Sequence, residues 1–354
     1  MEKCKWRNAN GEMQMRQIEK LTRNCEEIVT RKELKELMKK KEKRAYIGYE
    51  PSGLAHLGFV LGANKIKDLI SAGFDVSILL ADWHAQINDK FNGNMEDIRV
   101  CGEYLKDVFR ALGVKNANFL YASDLVSDPE YWATLIRIGK KTTLARAKRA
   151  LTIMGRKASE TMDYSKTMYP LMQATDIFRL EVDVALAGVD QRRAHMLARD
   201  AAEALGWKKP VAMHFPLIPS LSGSGRMDDI KMSKSKPGGA IFLHDDEEKI
   251  RTKIKNGYCP AGIVENNPIT MIWKTMIFQC FEKVKIERSE KYGGDIEIGN
   301  YKTFEDLFRE KKLHPLDVKN ATVLYLSQIL KPVRQYLEKN DESLRRVEAL
   351  TKDR

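Results

Sequence analysis

Residues 45–58 read AYIGYEPSGLAHLG. An apolar-rich run, Ala45 to Tyr49, leads into Pro51-Ser52-Gly53 and then His56-Leu57-Gly58. Beyond it Val60, Leu61, Ala63, Ile66, Leu69 and Ile70 fall at helical spacing. This is a strand, a glycine-bearing turn and a helix start, the geometry in which parallel α/β sheets hold nucleotides. Gly58 has no Cβ and lets a ligand approach the backbone. His56 can offer a hydrogen bond or a positive charge to a phosphate that gains charge as it reacts. Taken alone, a helix-start histidine bonded to backbone is the competing reading.

Outward from this stretch, strands and helices alternate. Strand-like runs at Arg44–Tyr49, Phe74–Ala81, Ala117–Tyr121, Val182–Ala187 and Pro210–His214 are separated by helical patterns. That order predicts an α/β domain over residues 41–245, a Rossmann-like parallel sheet with helices on both faces. Ligands of such sheets sit at the carboxyl ends of the strands. His56, the Ala81-Asp82 turn and Gly188-Val189-Asp190-Gln191 fall there. Residues 1–40 read as a charged, N-terminal helical segment, with Thr30 and Glu33 at capping-box spacing. Asp128-Pro129 reads as an N-cap followed by the first helical residue. From about Asp245 the texture turns helical, and Val323, Leu324, Leu326, Ile329, Leu330, Val333 and Leu337 form an amphipathic pattern. An all-α C-terminal domain over 246–354 is expected.

Lys231-Met232-Ser233-Lys234-Ser235 sets two lysines three positions apart between two glycine-rich stretches. Two flexible ammonium groups suit a polyphosphate in transit. A solvated basic loop is the bland alternative.

The chain has 354 residues, comfortable for two domains. No apolar run reaches membrane-spanning length, and the start, Met1-Glu2-Lys3-Cys4-Lys5, has no secretory segment. The five cysteines are scattered, without metal-ligand spacing, so reduced thiols and a cytoplasmic location are expected. The net charge of +12 suits a polyanionic partner. Its distribution says more: Tyr131 to Ser159 holds no acid but carries Arg137, Lys140, Lys141, Arg146, Lys148, Arg149, Arg156 and Lys157. Exposed helix faces usually mix signs, so a nucleic-acid surface is favoured.

His56-Leu57-Gly58-Phe59 and Lys231 to Ser235 together resemble the paired signature motifs of class I aminoacyl-tRNA synthetases. They stand in the expected order, 175 positions apart from His56 to Lys231. Phe59 departs from the histidine common at its position and cannot contact a phosphate. AYIGYEPSG, YPLMQATD, AGVDQRR, KYGGD and LHPLD narrow the resemblance to the tyrosyl-tRNA synthetase family, of the archaeal and eukaryotic cytosolic type. The first 30 residues are left unassigned by that likeness.

The resemblance implies a tyrosine–tRNA ligase with ATP as substrate, Mg²⁺ entering with it, no tightly bound cofactor and no dedicated metal site. It implies tRNA(Tyr) and a second copy of the chain as partners, and no membrane. Tyr46 and Asp176 stand where the substrate phenol is held. Glu50, Tyr169, Gln173 and Gln191 stand where its ammonium is held. Gly48, Gly58, Asp190 and Lys231, Met232, Ser233, Lys234 and Ser235 stand at the ATP side, with His56, Lys231 and Lys234 carrying catalysis. Arg149 stands at the acceptor stem, and Tyr292, His314 and Asp317 at the first anticodon base. The spacing of Tyr169, Gln173 and Asp176 puts them on one helix face. The alternatives are a tryptophan–tRNA ligase of the same fold, a non-catalytic RNA-binding paralogue, and a metabolic nucleotidyl transferase.

Overall fold

A computed structural model describes residues 15–155, 162–223, 232 and 237–352. The chain divides into two compact units. The first comprises the described residues of Met1–Ser52, Gly62–Lys106 and Val114–Pro216. The second comprises those of Gly53–Leu61, Asp107–Gly113 and Leu217–Arg354.

The first unit holds a six-stranded sheet: β1 Glu27–Val29, β2 Arg44–Tyr49, β3 Asp75–Leu80, β4 Ala117–Tyr121, β5 Val184–Gly188 and β6 Val211–Phe215. Its spatial order is β1-β6-β5-β2-β3-β4. β2 to β6 run parallel, as the alternating pattern predicts, and β1 is antiparallel at the edge. The chain runs outward from β2 through β3 to β4, then returns to the other side of β2 as β5 and β6. The strand order therefore reverses between β2 and β5, and a ligand crevice belongs at their carboxyl ends. Helices α1 Arg31–Leu37, α2 Gly58–Ser71, α3 Asp82–Ile87, α4 Pro129–Lys140, α5 Leu144–Ala150, α6 Tyr169–Arg179 and α7 Arg192–Leu205 alternate with the strands. β5 and β6 are buried at every position, as parallel strands covered on both faces must be.

Local capping follows the sequence. Thr30 Oγ1 accepts from the Glu33 amide at 3.2 Å, and the Thr30 amide donates to Glu33 Oε2 at 2.9 Å, starting α1. Asp128 accepts from the Glu130 amide at 2.9 Å with Pro129 as the first helical residue of α4.

Within 1–40, expected to be helical throughout, Glu27–Val29 is instead a strand. The outer edge of β6 needs a hydrogen-bonding partner, and the Glu26 amide donates to the His214 carbonyl at 2.8 Å. The helical residues 15–22 are fastened by Lys65. Its buried ammonium donates to the Leu21 and Arg23 carbonyls at 2.6 and 3.1 Å and pairs with Asp68 at 3.1 Å. A cation at a helix C-terminus meets the negative end of the dipole and satisfies carbonyls that the helix leaves open.

The C-terminal part of the second unit is helical, as expected, with α8 spanning Pro315–Lys339. Val323, Leu326, Leu330, Val333 and Leu337 are buried along it, while Leu324 is 48% exposed. Trp273 is the hub of the core: its ring stacks on Phe304 at 4.4 Å and its Nε1 donates to Thr322 Oγ1 at 2.8 Å. One short antiparallel pair, β7 Val284–Ile286 with β8 Ile296–Ile298, interrupts the helices. Three-residue strands are too short to leave an alternating signature in a sequence.

Candidate active site

In the first unit the central strand supplies the floor. Side chains two apart on a strand share a face, so Tyr46, Gly48 and Glu50 line up along β2 and its exit. Tyr46 is flanked in register by Ser77 on β3 and Ala185 on β5, both small. Gly48 is exposed although β2 is central, which leaves an opening on this face.

α6 brings Tyr169, Gln173 and Asp176 over that floor. Tyr46 and Gln173 are joined by a side-chain hydrogen bond. Asp176 is 1% exposed. Burial pushes its carboxyl up to about 8, against a lowering hydrogen bond from Tyr131. The Tyr131 hydroxyl donates to Oδ1 at 2.8 Å. His84 Nε2 lies 3.3 Å from Oδ2. Burial, reinforced by the charge of Asp176, pushes the Tyr46 phenol up, so it stays a neutral donor. A second polar cluster centres on Glu50. Its carboxylate accepts from Tyr169 Oη at 2.6 Å and Asn88 Nδ2 at 2.9 Å, with Lys90 Nζ 3.8 Å away. Gln191, in the turn after β5, donates to the Ile153 carbonyl at 3.0 Å, which leaves its own carbonyl oxygen as an acceptor. Asp190 precedes it, partly buried in the same turn.

The pocket residues expected from the sequence thus come together at the carboxyl ends of β2 and β5. Tyr131, His84 and Asn88 were not foreseen. His84 follows the Ala81-Asp82 turn already placed at a strand end; Asn88 and Tyr131 carry no signal in one sequence.

In the second unit His56 forms an antiparallel bridge with Phe242. The Leu57 amide donates to the Ile241 carbonyl and the Leu243 amide to the Ala55 carbonyl, both at 3.0 Å. The histidine turn is therefore bonded to the chain just beyond residues 231–235. Lys231, Ser233, Lys234 and Ser235 lie outside the described residues. Met232 is buried, and its amide donates to the Ile218 carbonyl at 2.8 Å. The Gly58 amide donates to His56 Nδ1 at 3.1 Å. An amide only donates, so Nδ1 is the acceptor and a neutral ring carries its proton on Nε2. Phe59 is buried against Phe109, with ring centroids 6.0 Å apart, and has a packing role.

Gly58 has a use beyond ligand access. A Cβ there would sit 2.8 Å from His56 Cε1 and 3.1 Å from Nδ1. Gly58→Ala is expected to turn the His56 ring away. Alanine favours helix more than glycine, so loss of fold is not the expected cause. The His56 imidazole signals in NMR spectra of the two chains check this; unchanged signals contradict it.

Arg149, at the end of α5, is exposed, as are Lys140, Lys141 and Lys148. The acid-free stretch is not wholly unneutralised. Arg137 pairs with Glu130 at 2.5 Å and Arg146 with Asp200 at 2.9 Å, acids contributed from outside it. Arg156 and Lys157 lie outside the described residues.

Tyr292 is 66% exposed in a turn closed by Gly293, whose φ of +91° suits glycine. His314 caps α8, its Nδ1 accepting from the Leu316 amide at 3.2 Å, so it has a helix-capping role. The residue remains exposed, and Asp317 is partly exposed in the first turn. Arg288, not foreseen, donates to the Gly294 and Lys312 carbonyls at 2.8 and 3.0 Å. It thereby ties the Tyr292 turn to the segment entering His314.

An open parallel sheet with this crevice, and a histidine–glycine turn bonded to the chain beyond residues 231–235, match what the resemblance to class I synthetases implies. The chain belongs to the class I tRNA synthetases for tryptophan and tyrosine (W and Y), whose family model matches residues 38–331. Its relatives at 45–48% identity are tyrosine–tRNA ligases. It is 48% identical over 351 residues to the tyrosine–tRNA ligase of Sulfolobus acidocaldarius, covering 95% of this chain and 97% of that one. The tyrosyl-tRNA synthetase structure from Aeropyrum pernix superimposes with a TM-score of 0.86 at 42% identity, covering 96% and 99%. The Archaeoglobus fulgidus enzyme, solved with L-tyrosine, gives 0.84 at 41% identity, covering 92% and 99%.

Proposed function

We infer that this chain is a tyrosine–tRNA ligase. The observation that carries the choice of amino acid is the buried Asp176 carboxyl beside the Tyr46 phenol at the bottom of the crevice. A carboxyl oxygen accepts the substrate's phenolic hydrogen and the Tyr46 hydroxyl completes the pair. An indole lacks that hydroxyl, which speaks against the tryptophan alternative. At the other end, Glu50, Tyr169, Gln173 and the Gln191 carbonyl oxygen receive the ammonium.

The reaction has two steps. A tyrosine carboxylate oxygen attacks the α-phosphorus of ATP; the bond to pyrophosphate breaks and tyrosyl-adenylate forms. The terminal ribose hydroxyl of tRNA(Tyr) then attacks the adenylate carbonyl and AMP leaves. No protein nucleophile is required, so the chain contributes positioning and charge stabilisation. Gly48 and Gly58 leave room for the nucleotide, and Asp190 takes the ribose. The His56 Nε2–H, Lys231 and Lys234 stabilise charge on the phosphates, with Met232, Ser233 and Ser235 also on the ATP side. Mg²⁺ enters with ATP and screens its phosphates.

Residues 41–245 form the catalytic domain behind the 1–40 segment, and 246–354 read the anticodon. Arg149 and its exposed basic neighbours take the acceptor end, where phosphate contacts supply affinity. Tyr292 and His314 stack on the first anticodon base and Asp317 accepts from guanine's N1 and N2 hydrogens. Asp317→Ala is then expected to reduce the preference for guanine there by roughly tenfold. Aminoacylation of tRNA(Tyr) transcripts varied at that base tests the reading; an unchanged preference removes the base-reading role.

A homodimer is supported by Trp132, Ile136 and Leu144, which are 38%, 59% and 64% exposed on α4 and just beyond it. Trp132 and Ile136 lie one helical turn apart, an apolar face that a second copy would cover. A cytoplasmic location fits cysteines that form no disulfide among the described residues.

A further inference from the structure

His84 is buried, yet neither ring nitrogen has a hydrogen-bond partner among the described residues. Such groups are rare in folded proteins and ask for an explanation. Its surroundings supply one. The ring stands edge-on to Tyr169, with centroids 4.9 Å apart and planes at 86°. Nε2 lies 3.3 Å from Asp176 Oδ2, without hydrogen-bond alignment. The other carboxyl oxygen is already taken by Tyr131 at 2.8 Å. We propose that His84 is a positioning residue for substrate recognition: it takes the proton of the Asp176 carboxyl onto Nε2, so that Asp176 meets the substrate phenol only as an acceptor.

The inference rests on the tyrosine reading of this pocket. A pocket that selects a phenol by accepting its hydrogen needs lone pairs facing the substrate. A protonated carboxyl weakens that selection, because it can also donate. Burial favours the protonated carboxyl near neutral pH. The same burial pushes His84 down to about 4, so each group alone is held neutral. Moving one proton from Oδ2 to Nε2 leaves the net charge of the pair unchanged. It turns two neutral groups into an ion pair at contact distance, where their attraction offsets the cost of burying charge. The pair then titrates as one unit. The groups facing Asp176 from the elements around it are Tyr131 on α4, Tyr46 on β2 and Tyr169 on α6. All three are phenols that burial holds neutral, so His84 is the base among them.

Two variants of the full chain test this. His84→Leu removes the base. His84→Gln keeps a polar side chain of similar size that cannot take a proton. The readout is kcat/KM for tyrosine in pyrophosphate exchange between pH 6.5 and 8.5, with KM for ATP as the control. The wild-type profile is expected to be flat. In both variants Asp176 must lose its proton to solvent, so kcat/KM for tyrosine should rise by about tenfold between pH 7 and pH 8.5 while KM for ATP stays put. If the His84→Leu variant fails to fold, the His84→Gln variant decides alone. A flat profile in a folded variant, or the same rise in the wild type, overturns the proposal. A wild-type chain without tyrosine exchange removes the reading of the pocket itself, and the proposal with it.

Discussion

Asp176→Ala should lower kcat/KM for tyrosine by about a thousandfold or more and raise the value for phenylalanine. Tyrosyl-tRNA synthetases are themselves the standard case of this effect, separating tyrosine from phenylalanine by roughly 10⁵. The size follows from what is buried. If Tyr46 and Asp176 hold the substrate hydroxyl as proposed, a phenylalanine side chain leaves one bonding position on each of them unmet, and each such loss costs about 1–3 kcal/mol. Removing the carboxyl removes that penalty on phenylalanine and the reward for tyrosine together. It also strips Tyr131 of its acceptor at 2.8 Å, so some loss of stability accompanies it. Pyrophosphate exchange with both amino acids measures the ratio. If the ratio survives the substitution, selectivity resides elsewhere and the pocket assignment is wrong.

Lys231→Ala should slow formation of tyrosyl-adenylate by about 10²–10³-fold while tyrosine binds as before. Only an interaction that is stronger in the transition state than in the ground state raises the rate of the chemical step. Negative charge builds on the departing pyrophosphate during that step, and a flexible ammonium answers it. The described chain around Lys231 is fastened. The Leu221 amide donates to the Gly239 carbonyl at 2.9 Å, and the Met232 amide to that of Ile218 at 2.8 Å. Single-turnover adenylate formation and equilibrium dialysis of tyrosine separate the two quantities. Equal losses in both would remove the transition-state role.

Much of the fold was legible because of what a covered parallel sheet demands. β5 and β6 are buried at all positions and, His214 aside, read as apolar runs. The trio on α6 was legible because the spacing of Tyr169, Gln173 and Asp176 fixes a helix face whatever surrounds it. β1, β7 and β8 were not, since three residues cannot show a period and their pairing is decided by a distant edge. The polar partners that tune the pocket escaped for a similar reason. Tyr131 sits on an ordinary amphipathic helix, and only the fold shows its hydroxyl turned onto Asp176. His84 looks like a turn residue in sequence; its unpartnered ring nitrogens exist only in three dimensions. His314 shows the reverse: the helix cap is real, and the same residue still offers an exposed ring.

ATP–pyrophosphate exchange measured with each proteinogenic amino acid in turn puts the central claim at risk most directly, since it needs neither a variant nor a purified tRNA. Exchange is expected with tyrosine, with phenylalanine and tryptophan near background. Exchange driven by tryptophan, or none with any amino acid, would contradict the assignment.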